Sequence, residues 1–373
     1  MVSDSIKFPD RHKAIPIRNV WHMLIYAWDL TSWMDIARFE AEPSPNLLGL
    51  LGRVLVESTR TLLRRQLGRE YVKNTSVISG IRGRIRFASS LRFIGNKESK
   101  LVCEFNVLDI DTPRNRIIRS TLHRLAGDGR VNNNSKELAA QLTHDIRNLV
   151  RDMDGVALIN LSTAQFARVQ IGRNDKNYVL PLKICALIHQ LQMPTESAGD
   201  IALAKLLQDE DYFATLFERF VRNFYAHHIS GWYEVKAEGL KWPGGNQSPY
   251  MPTMRTDISI IGRHPPNNRL IIDTKYYRDA LTSNRGGALK FKTENLYQIY
   301  AYLRTQEGEG DNYRNARGML LYPTVDYELD ERMDIQGHEI RVSTIDLRES
   351  WERIEERLLS YVDPLTYSYP NEV

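Results

Sequence analysis

The chain has 373 residues, of which 42% are apolar and 26% are charged, and its formal net charge is +4. This composition is ordinary for a soluble globular protein of one to three domains, and no stretch approaches the roughly 18 apolar residues that a membrane span needs. The two cysteines, Cys103 and Cys185, exclude a disulfide-dense scaffold and suit a reducing cytosol, and no Cys/His cluster suggests structural zinc. The N-terminal stretch lacks the apolar core of a secretory signal, so we expect a cytoplasmic protein.

The first 200 residues carry mostly helical patterns around one stretch of strand signals. Residues 71–92 alternate isoleucine with arginine around two glycines, which predicts strands and a turn. The polar segment "MPTESAGD" at 193–200 is the predicted end of a mostly helical α+β domain, residues 1–200. Amphipathic spacing predicts its helices at 17–30, 46–67, 113–126 and 135–153.

The second predicted domain, residues 201–373, has an α/β pattern. A helix that ends in "LFERFVRNFYAHH" is followed by strand signals, a second helix, further strands and a last helix. This order predicts a central mixed sheet with helices packed on it. The strands are predicted at 233–240, 253–261, 269–277, 316–323 and 340–347, and the later helices at 294–306 and 350–362.

Two charged residues, Asp273 and Lys275, follow the apolar run 270–272 at the end of one predicted strand. The preceding strand is joined to it by the turn-rich segment "GRHPPNN". A hairpin centred on Pro265 places Asp257 opposite Asp273, at a distance of roughly 4.5–5.5 Å between Cβ atoms. Because side chains alternate along a strand, Asp273 and Lys275 share a face. The register therefore predicts two carboxylates and one ammonium in one place.

Two carboxylates this close repel each other, and a divalent cation is one way to neutralise them. Mg²⁺ prefers oxygen ligands from one or two carboxylates, and a neighbouring lysine can orient water and offset developing negative charge. The pattern thus favours metal-assisted phosphodiester hydrolysis, with Asp257 and Asp273 as Mg²⁺ ligands. The alternative is a salt-bridged strand end, in which an aspartate pairs with Lys275 or Arg255.

The arrangement resembles the core of the PD-(D/E)xK nucleases, with Asp257 as the first acid and 273–275 as the DxK element. Thr256 stands where the literal pattern has proline. The resemblance implies a restriction-endonuclease-like sheet, a helical glutamate for which Glu218 is the candidate, and a possible ligand in the Thr274 carbonyl. Gln298 and Tyr302, one turn apart on the following helix, are supporting candidates. The alternative for Glu218, Gln298 and Tyr302 is ordinary polar surface.

Motifs spread over residues 15–325 resemble the McrC family, the nuclease subunits of McrBC 5-methylcytosine-dependent restriction systems. They include "IPIRNVWHMLIYAWDL", "ISGIRGRIRFA", "DTPRNRIIRSTL", "DTKYY" and "NLYQIYAYL" in the same order. The resemblance implies that the N-terminal domain binds and stimulates an McrB-like hexameric AAA+ GTPase, and that the chain cuts double-stranded DNA bearing modified cytosine. GTP would be used by the partner, and this chain has no GxxxxGK[ST] loop.

A run of arginines without acidic residues lies in the predicted strand–turn: Arg82, Arg84 and Arg86, with Arg92 after them. An arginine supplied in trans can stabilise the charge of phosphoryl transfer, so these are candidate partner-binding residues. The alternative is a solvated basic hairpin, and Arg114 and Arg116 carry the same ambiguity. Two alternative functions also stay open: a GTPase-stimulating regulator or scaffold with weak or no nuclease activity, and an autonomous nuclease.

Overall fold

We analysed a computed structural model of the chain, which describes residues 15–33, 47–128, 136–192, 210–244, 248, 250–264, 268–275, 281–283, 289–324 and 328–366. The elements below are those of the described residues. They form two compact units. The middle unit comprises the described residues of 39–202, and the C-terminal unit comprises those of 1–38 together with 203–373. No helix in these described ranges is long and apolar enough to cross a membrane.

The middle unit combines six helices with a three-stranded antiparallel sheet. The sheet has the order β1-β3-β2, with β1 at Glu70–Ile78, β2 at Arg84–Ile85 and β3 at Leu101–Asp109. Thr112 caps the helix that begins at Pro113, because its side chain accepts a hydrogen bond from the Asn115 backbone. The helices are α2 (Leu47–Arg64), α3 (Phe87–Gly95), α4 (Pro113–Ala126), α5 (Lys136–Asp152), α6 (Thr163–Arg168) and α7 (Val179–Gln192).

The C-terminal unit is built on a six-stranded mixed sheet with the order β12-β13-β11-β8-β7-β4. Strand β11 is parallel to both of its neighbours, and the other pairs are antiparallel. Two short pairs, β5 with β6 and β9 with β10, lie outside this sheet. The strands are β4 (Tyr233–Lys236), β5 (Gly239–Leu240), β6 (Met254–Arg255), β7 (Ile258–Gly262), β8 (Arg269–Thr274), β9 (Leu281–Ser283), β10 (Leu289–Phe291), β11 (Arg317–Thr324), β12 (Asp330–Ile335) and β13 (His338–Asp346).

The helices of the C-terminal unit are α1 (Ile17–Ala27), α8 (Glu210–His228), α9 (Thr293–Gln306), α10 (Asp311–Arg314) and α11 (Trp351–Thr366). The predicted mixed sheet flanked by helices is therefore confirmed. Helix α9 packs directly on the sheet, with Ile299 and Leu303 fully buried. It lies so close to β11 that a Cβ on Gly318 would come within 2.8 Å of Ile299 and 2.9 Å of Leu303. Glycine at this position thus allows the helix to sit directly on the strand.

The sequence-based division at residue 200 differs from the structure at the N-terminus. Helix α1 belongs to the C-terminal unit, because it packs on α8 and its side chains bond to distant backbone. The Asn19 amide donates to the carbonyls of Leu347 and Glu349, each at 2.8 Å, and the Asn223 amide donates to the Tyr26 carbonyl at 2.8 Å. Aromatic rings of α1 and α8 also meet, since Tyr26 packs against Phe220 and Phe224.

We expect Asn19→Ala to destabilise the C-terminal unit by about 2 kcal/mol, because it leaves two buried carbonyls without their donor. The adjacent Arg18→Ala is the matched control. Arg18 makes one distant, exposed ion pair with Glu352, which contributes about 0.5 kcal/mol or less. Thermal and urea unfolding of the full-length variants measure the difference. Equal stability of the two variants would show that α1 is not held by Asn19.

Candidate active site

The register of β7 and β8 brings the two predicted acids together. Ile258 pairs with Ile272, Ser259 with Ile271 and Ile260 with Leu270. Asp257 and Asp273 lie one position beyond the Ile258–Ile272 pair, so this register places them opposite each other, as the predicted hairpin centre required. The predicted register is confirmed.

Asp273 lies in the middle of the six-stranded sheet, on β8 and beside Leu320 of β11. Its side chain is 1% exposed, and Lys275 Nζ lies 2.7 Å from its Oδ2. Neither carboxylate oxygen accepts a hydrogen bond of normal geometry from the described residues. The ion pair therefore leaves most of the hydrogen-bonding capacity of this buried carboxylate unused, which is unusual for a side chain that serves only the fold.

Asp257 is held by the residue that follows Asp273. Its Oδ2 accepts hydrogen bonds from both the backbone N–H and the hydroxyl of Thr274, each at 2.8 Å. The Lys275 N–H in turn donates to the Leu321 carbonyl at 2.9 Å, so the backbone after Asp273 stays attached to β11. These bonds fix the distance between the two strand ends and thereby the separation of the acids.

Burial raises the pKa of both aspartates. The pKa of Asp273 rises to about 7, first because the carboxyl is desolvated and second because Asp257 is close, and Lys275 only partly opposes these effects. The pKa of Asp257 is also raised by burial, and the two hydrogen bonds from Thr274 oppose the rise. The negative forms of both carboxyls are therefore disfavoured, and a bound cation would stabilise them because it neutralises their charge.

Lys275 is fixed by a second partner on another element. Its Nζ donates to Gln298 Oε1 at 2.7 Å, and Gln298 Nε2 donates to the Tyr302 hydroxyl at 2.7 Å. The Tyr302 hydroxyl donates to the Arg255 carbonyl at 2.8 Å. The structure thus links both supporting candidates of α9 to Lys275 beside the acid pair.

Glu218 lies near the acids but is engaged elsewhere. Its Oε1 accepts from Arg222 at 2.6 Å, and the same guanidinium reaches the Asp257 carbonyl at 3.3 Å. Its negative charge contributes to the raised pKa values of Asp257 and Asp273. The described residues contain no group of three or more His, Cys, Asp or Glu side chains placed to hold a metal ion together.

Comparison with known proteins identifies the family. The sequence model of the family described as "McrBC 5-methylcytosine restriction system component" matches residues 11–323. The chain belongs to this family. It is 33% identical over 353 residues to the "Type IV methyl-directed restriction enzyme EcoKMcrBC" of Escherichia coli (strain K12). The aligned region covers 94% of this chain and 97% of that protein.

A solved structure of McrB hexamers with bound McrC shares the fold. A half-complex from a tetradecameric assembly of Thermococcus gammatolerans McrB AAA+ hexamers with bound McrC matches 94% of this chain and 76% of that chain, with a TM-score of 0.53 and 18% identity. A cryo-EM structure of the Thermococcus gammatolerans McrBC complex matches 58% of each chain, with a TM-score of 0.40 and 21% identity. The first match supports the mixed α/β architecture of this McrBC family member.

The arginines predicted to contact a partner lie in the middle unit, and all three are exposed. Arg82 stacks over the Phe105 ring, with its guanidinium carbon 4.3 Å from the ring centre, and Arg86 pairs with Glu104 at 3.1 Å. The Arg84 side chain has no hydrogen bond or ion pair with the described residues. Arg84 is therefore the arginine of this run that is open to a partner.

Arg114 and Arg116 have internal roles instead. Arg114 is buried, pairs with Asp175 at 2.8 Å and lies over the Tyr178 ring. Arg116 forms two hydrogen bonds of 2.7 Å with Asp111, which lower the pKa of that carboxyl. Both side chains serve the packing of the middle unit, which resolves the ambiguity left by the sequence.

Sequence reasoning missed three contributors to the site: the Thr274 hydroxyl, the Arg222 guanidinium and the Arg255 carbonyl. Thr274 directly follows Asp273, so the threonine inside the DxK element was the sequence signal that could have pointed to this hydroxyl. Arg222 lies four residues after Glu218, a spacing that brings opposite charges together on a helix. A backbone carbonyl gives no side-chain signal at all, and the contact with Arg255 could only be found in the fold.

In the metal-free protein, Asp273→Asn should raise the free energy of unfolding by about 2–4 kcal/mol at about pH 8. The folded carboxyl titrates at about 7, whereas in the unfolded chain it titrates near its ordinary value. The wild type therefore loses stability as the pH rises from about 4 to about 7, and the difference between the two proteins should vanish below about pH 4.

Urea unfolding across this pH range measures the effect, with the exposed Glu331→Gln as the matched charge-removing control. A pH-independent difference between Asp273→Asn and wild type would contradict the raised pKa.

Proposed function

We propose that this chain is the DNA-cleaving subunit of a GTP-dependent restriction complex specific for modified cytosine. The observation that carries the proposal is the convergence of Asp257, Asp273 and Lys275 at the end of β8, where the buried Asp273 carboxylate has the Lys275 ammonium as its one partner among the described residues. The unit around these residues would be a PD-(D/E)xK nuclease core, a mixed sheet whose adjacent strands carry the acid and the DxK element. The free, buried cysteines suit action in the cytoplasm.

The residues present fit a Mg²⁺ ion. Apart from the Lys275 ammonium, the buried carboxylate of Asp273 has no donor among the described residues, and burial raises the pKa of both aspartates, so that a cation would stabilise their charged forms. Two carboxylates with water and phosphate oxygens are a donor set that Mg²⁺ takes. Asp257 and Asp273 would hold the ion, with the Thr274 carbonyl as a possible further ligand, and the ion would activate water and neutralise charge on the phosphate.

The protein's own contribution to the chemistry is orientation and charge. Lys275 forms an ion pair with Asp273, and this pair restricts the lysine side chain to conformations that keep its ammonium beside the acids. From that place it would orient the attacking water or offset the charge that develops on the phosphate oxygens. Burial of the site strengthens these interactions, because they are less screened than at the surface.

The middle unit would engage and stimulate an McrB-like AAA+ GTPase hexamer. A relative of the same fold, Thermococcus gammatolerans McrC, is bound to McrB hexamers. The exposed arginines around β2 give this unit a basic surface suited to acidic or phosphate-bearing partners. GTP would be bound by this partner, since the chain itself carries no GxxxxGK[ST] loop. The double-stranded DNA with modified cytosine would be presented through the same partner.

Lys275→Ala should lower the rate of DNA cleavage by at least about 100-fold while leaving partner binding and GTPase stimulation unchanged. Single-turnover cleavage of methylated DNA by the chain with its partner GTPase, GTP and Mg²⁺ measures the rate. The half-buried Lys236→Ala is the matched control, since it removes a lysine from edge strand β4.

Cleavage by Lys275→Ala at the wild-type rate would overturn the assignment. The same assays separate the alternatives. A regulator without nuclease activity would stimulate GTP hydrolysis but leave DNA intact, whereas an autonomous nuclease would cut with Mg²⁺ and without the GTPase.

Arg84→Ala should lower the partner's stimulated GTP hydrolysis at least about 10-fold, because an arginine supplied in trans can stabilise phosphoryl-transfer charge. The matched control is Arg65→Ala, an exposed arginine just after α2. Phosphate release by the partner at saturating concentrations of each variant gives the comparison. If both variants stimulate equally well, Arg84 has no part in the reaction.

A further inference from the structure

Lys275, Gln298, Tyr302 and the Arg255 carbonyl form one continuous line of hydrogen bonds. We propose that Gln298 is a positioning residue for Lys275, and that Tyr302 and the Arg255 carbonyl hold Gln298 in the orientation this requires. The inference rests on the proposed nuclease function. It gives Gln298 a role toward the lysine, rather than toward the attacking water or the DNA.

The direction of every bond in the line follows from its last member. A backbone carbonyl only accepts, so the Tyr302 hydroxyl must use its single proton on Arg255. That hydroxyl is then left as an acceptor, which requires the NH₂ end of Gln298 to face it. The oxygen of the Gln298 amide consequently points to Lys275, which can only donate. The amide of Gln298 is thus set by the fold and is not free to flip.

The lysine needs such a partner because its side chain is long and flexible. Asp273 alone would hold the ammonium from one side, and the two groups are only two residues apart, at the end of β8. Gln298 approaches from α9, so the ammonium is held between two elements of the fold. The amide is neutral, and it therefore fixes the ammonium without adding negative charge to a place that already contains two carboxylates with raised pKa values.

Helix α9 is a rigid base for this task. Ile299 and Leu303 are completely buried, Tyr302 is 5% exposed, and the Asn295 amide donates to the Tyr322 hydroxyl at 2.9 Å. The close contact at Gly318 leaves the helix no room to move toward β11. A polar group carried by an element packed in this way can hold its partner within a few tenths of an ångström, which a loop residue could not do.

Two variants test the proposal in the complete complex with partner GTPase, GTP, Mg²⁺ and methylated DNA. Gln298→Met keeps the length of the side chain but removes the acceptor, and Tyr302→Phe removes the hydroxyl that orients the amide. Gln298→Met should lower the single-turnover rate at saturating complex about 10- to 100-fold, and the concentration for half-maximal rate should not change. Tyr302→Phe should show the same pattern with a smaller loss.

Matched controls come from the same helix. Tyr300→Phe removes a hydroxyl that donates to Gln336 at 2.6 Å, and Gln306→Met removes an amide that donates to the Lys241 carbonyl at 2.7 Å. Both controls make the same type of substitution on α9, but at side chains that do not contact Lys275, so these variants should cut DNA at the wild-type rate. A loss of rate shared by all four variants would show that α9 matters only for stability, and the proposal would fall.

A crystal structure of Gln298→Met supplies a readout that does not depend on activity. We expect the Lys275 ammonium to leave its place beside Asp273 or to occupy several positions. An unchanged Lys275 in that structure, or cleavage by Gln298→Met at the wild-type rate, would overturn the inference. Failure of the nuclease function itself would look different, since wild type would then leave DNA intact or Lys275→Ala would cut normally.

Discussion

The burial of the Asp273 carboxyl in the middle of a sheet is the constraint on which the rest of the site depends. A lone carboxylate in such a place is strongly disfavoured, and the neighbouring Asp257 adds to the cost. The chain could have avoided this with an apolar residue, since β8 is otherwise apolar and buried from Leu270 to Ile272. Instead, Lys275 supplies one ammonium, and the remaining hydrogen-bonding capacity of the Asp273 carboxylate is unused by the described residues. The acids are thus held in a state that a cation would stabilise, and the protein tolerates the loss of stability that this entails.

The fold meets this constraint through backbone bonds and close packing rather than through further charges. Thr274 holds Asp257 with two hydrogen bonds, and the Lys275 backbone continues the ladder to β11. Gly318 lets α9 approach the sheet, and this places Gln298 within reach of the lysine. Each of these contacts comes from a different part of the sequence. Rigidity at the acids is therefore a property of the whole C-terminal unit, including α1, which Asn19 attaches to the backbone after β13.

The sequence predicted what depends on local pattern. Helical spacing located α2, α4 and α9 to within a few residues, and the turn centred on Pro265 gave the register that opposes Asp257 to Asp273. The prediction failed where long-range packing determines the structure.

The predicted strand region 71–92 extends too far, because residues from Phe87 form α3, and β3 and β12 were not predicted. The attachment of α1 to the C-terminal unit depends on contacts more than 300 residues apart, for which an amphipathic pattern carries no information. For the same reason Gln298 was a candidate by helix face alone, and its link to Lys275 appeared only in the fold.

The other buried charges of the C-terminal unit differ from the acid pair, and the difference supports the proposal of a site over a salt-bridged strand end. Arg341 pairs with Asp330 through two hydrogen bonds, which lower the pKa of the acid, and the buried Arg269 meets Glu238 and the face of Tyr313. In the Arg341–Asp330 pair the charged form of the acid is thus favoured. Asp257 and Asp273 are the acidic residues, among those described, whose pKa values are raised. The one lysine next to them carries a single positive charge, so it cannot neutralise both carboxylates. The charge balance of the Arg341–Asp330 pair is thus absent where β7 and β8 meet, and acids with perturbed pKa values of this kind cluster at functional sites.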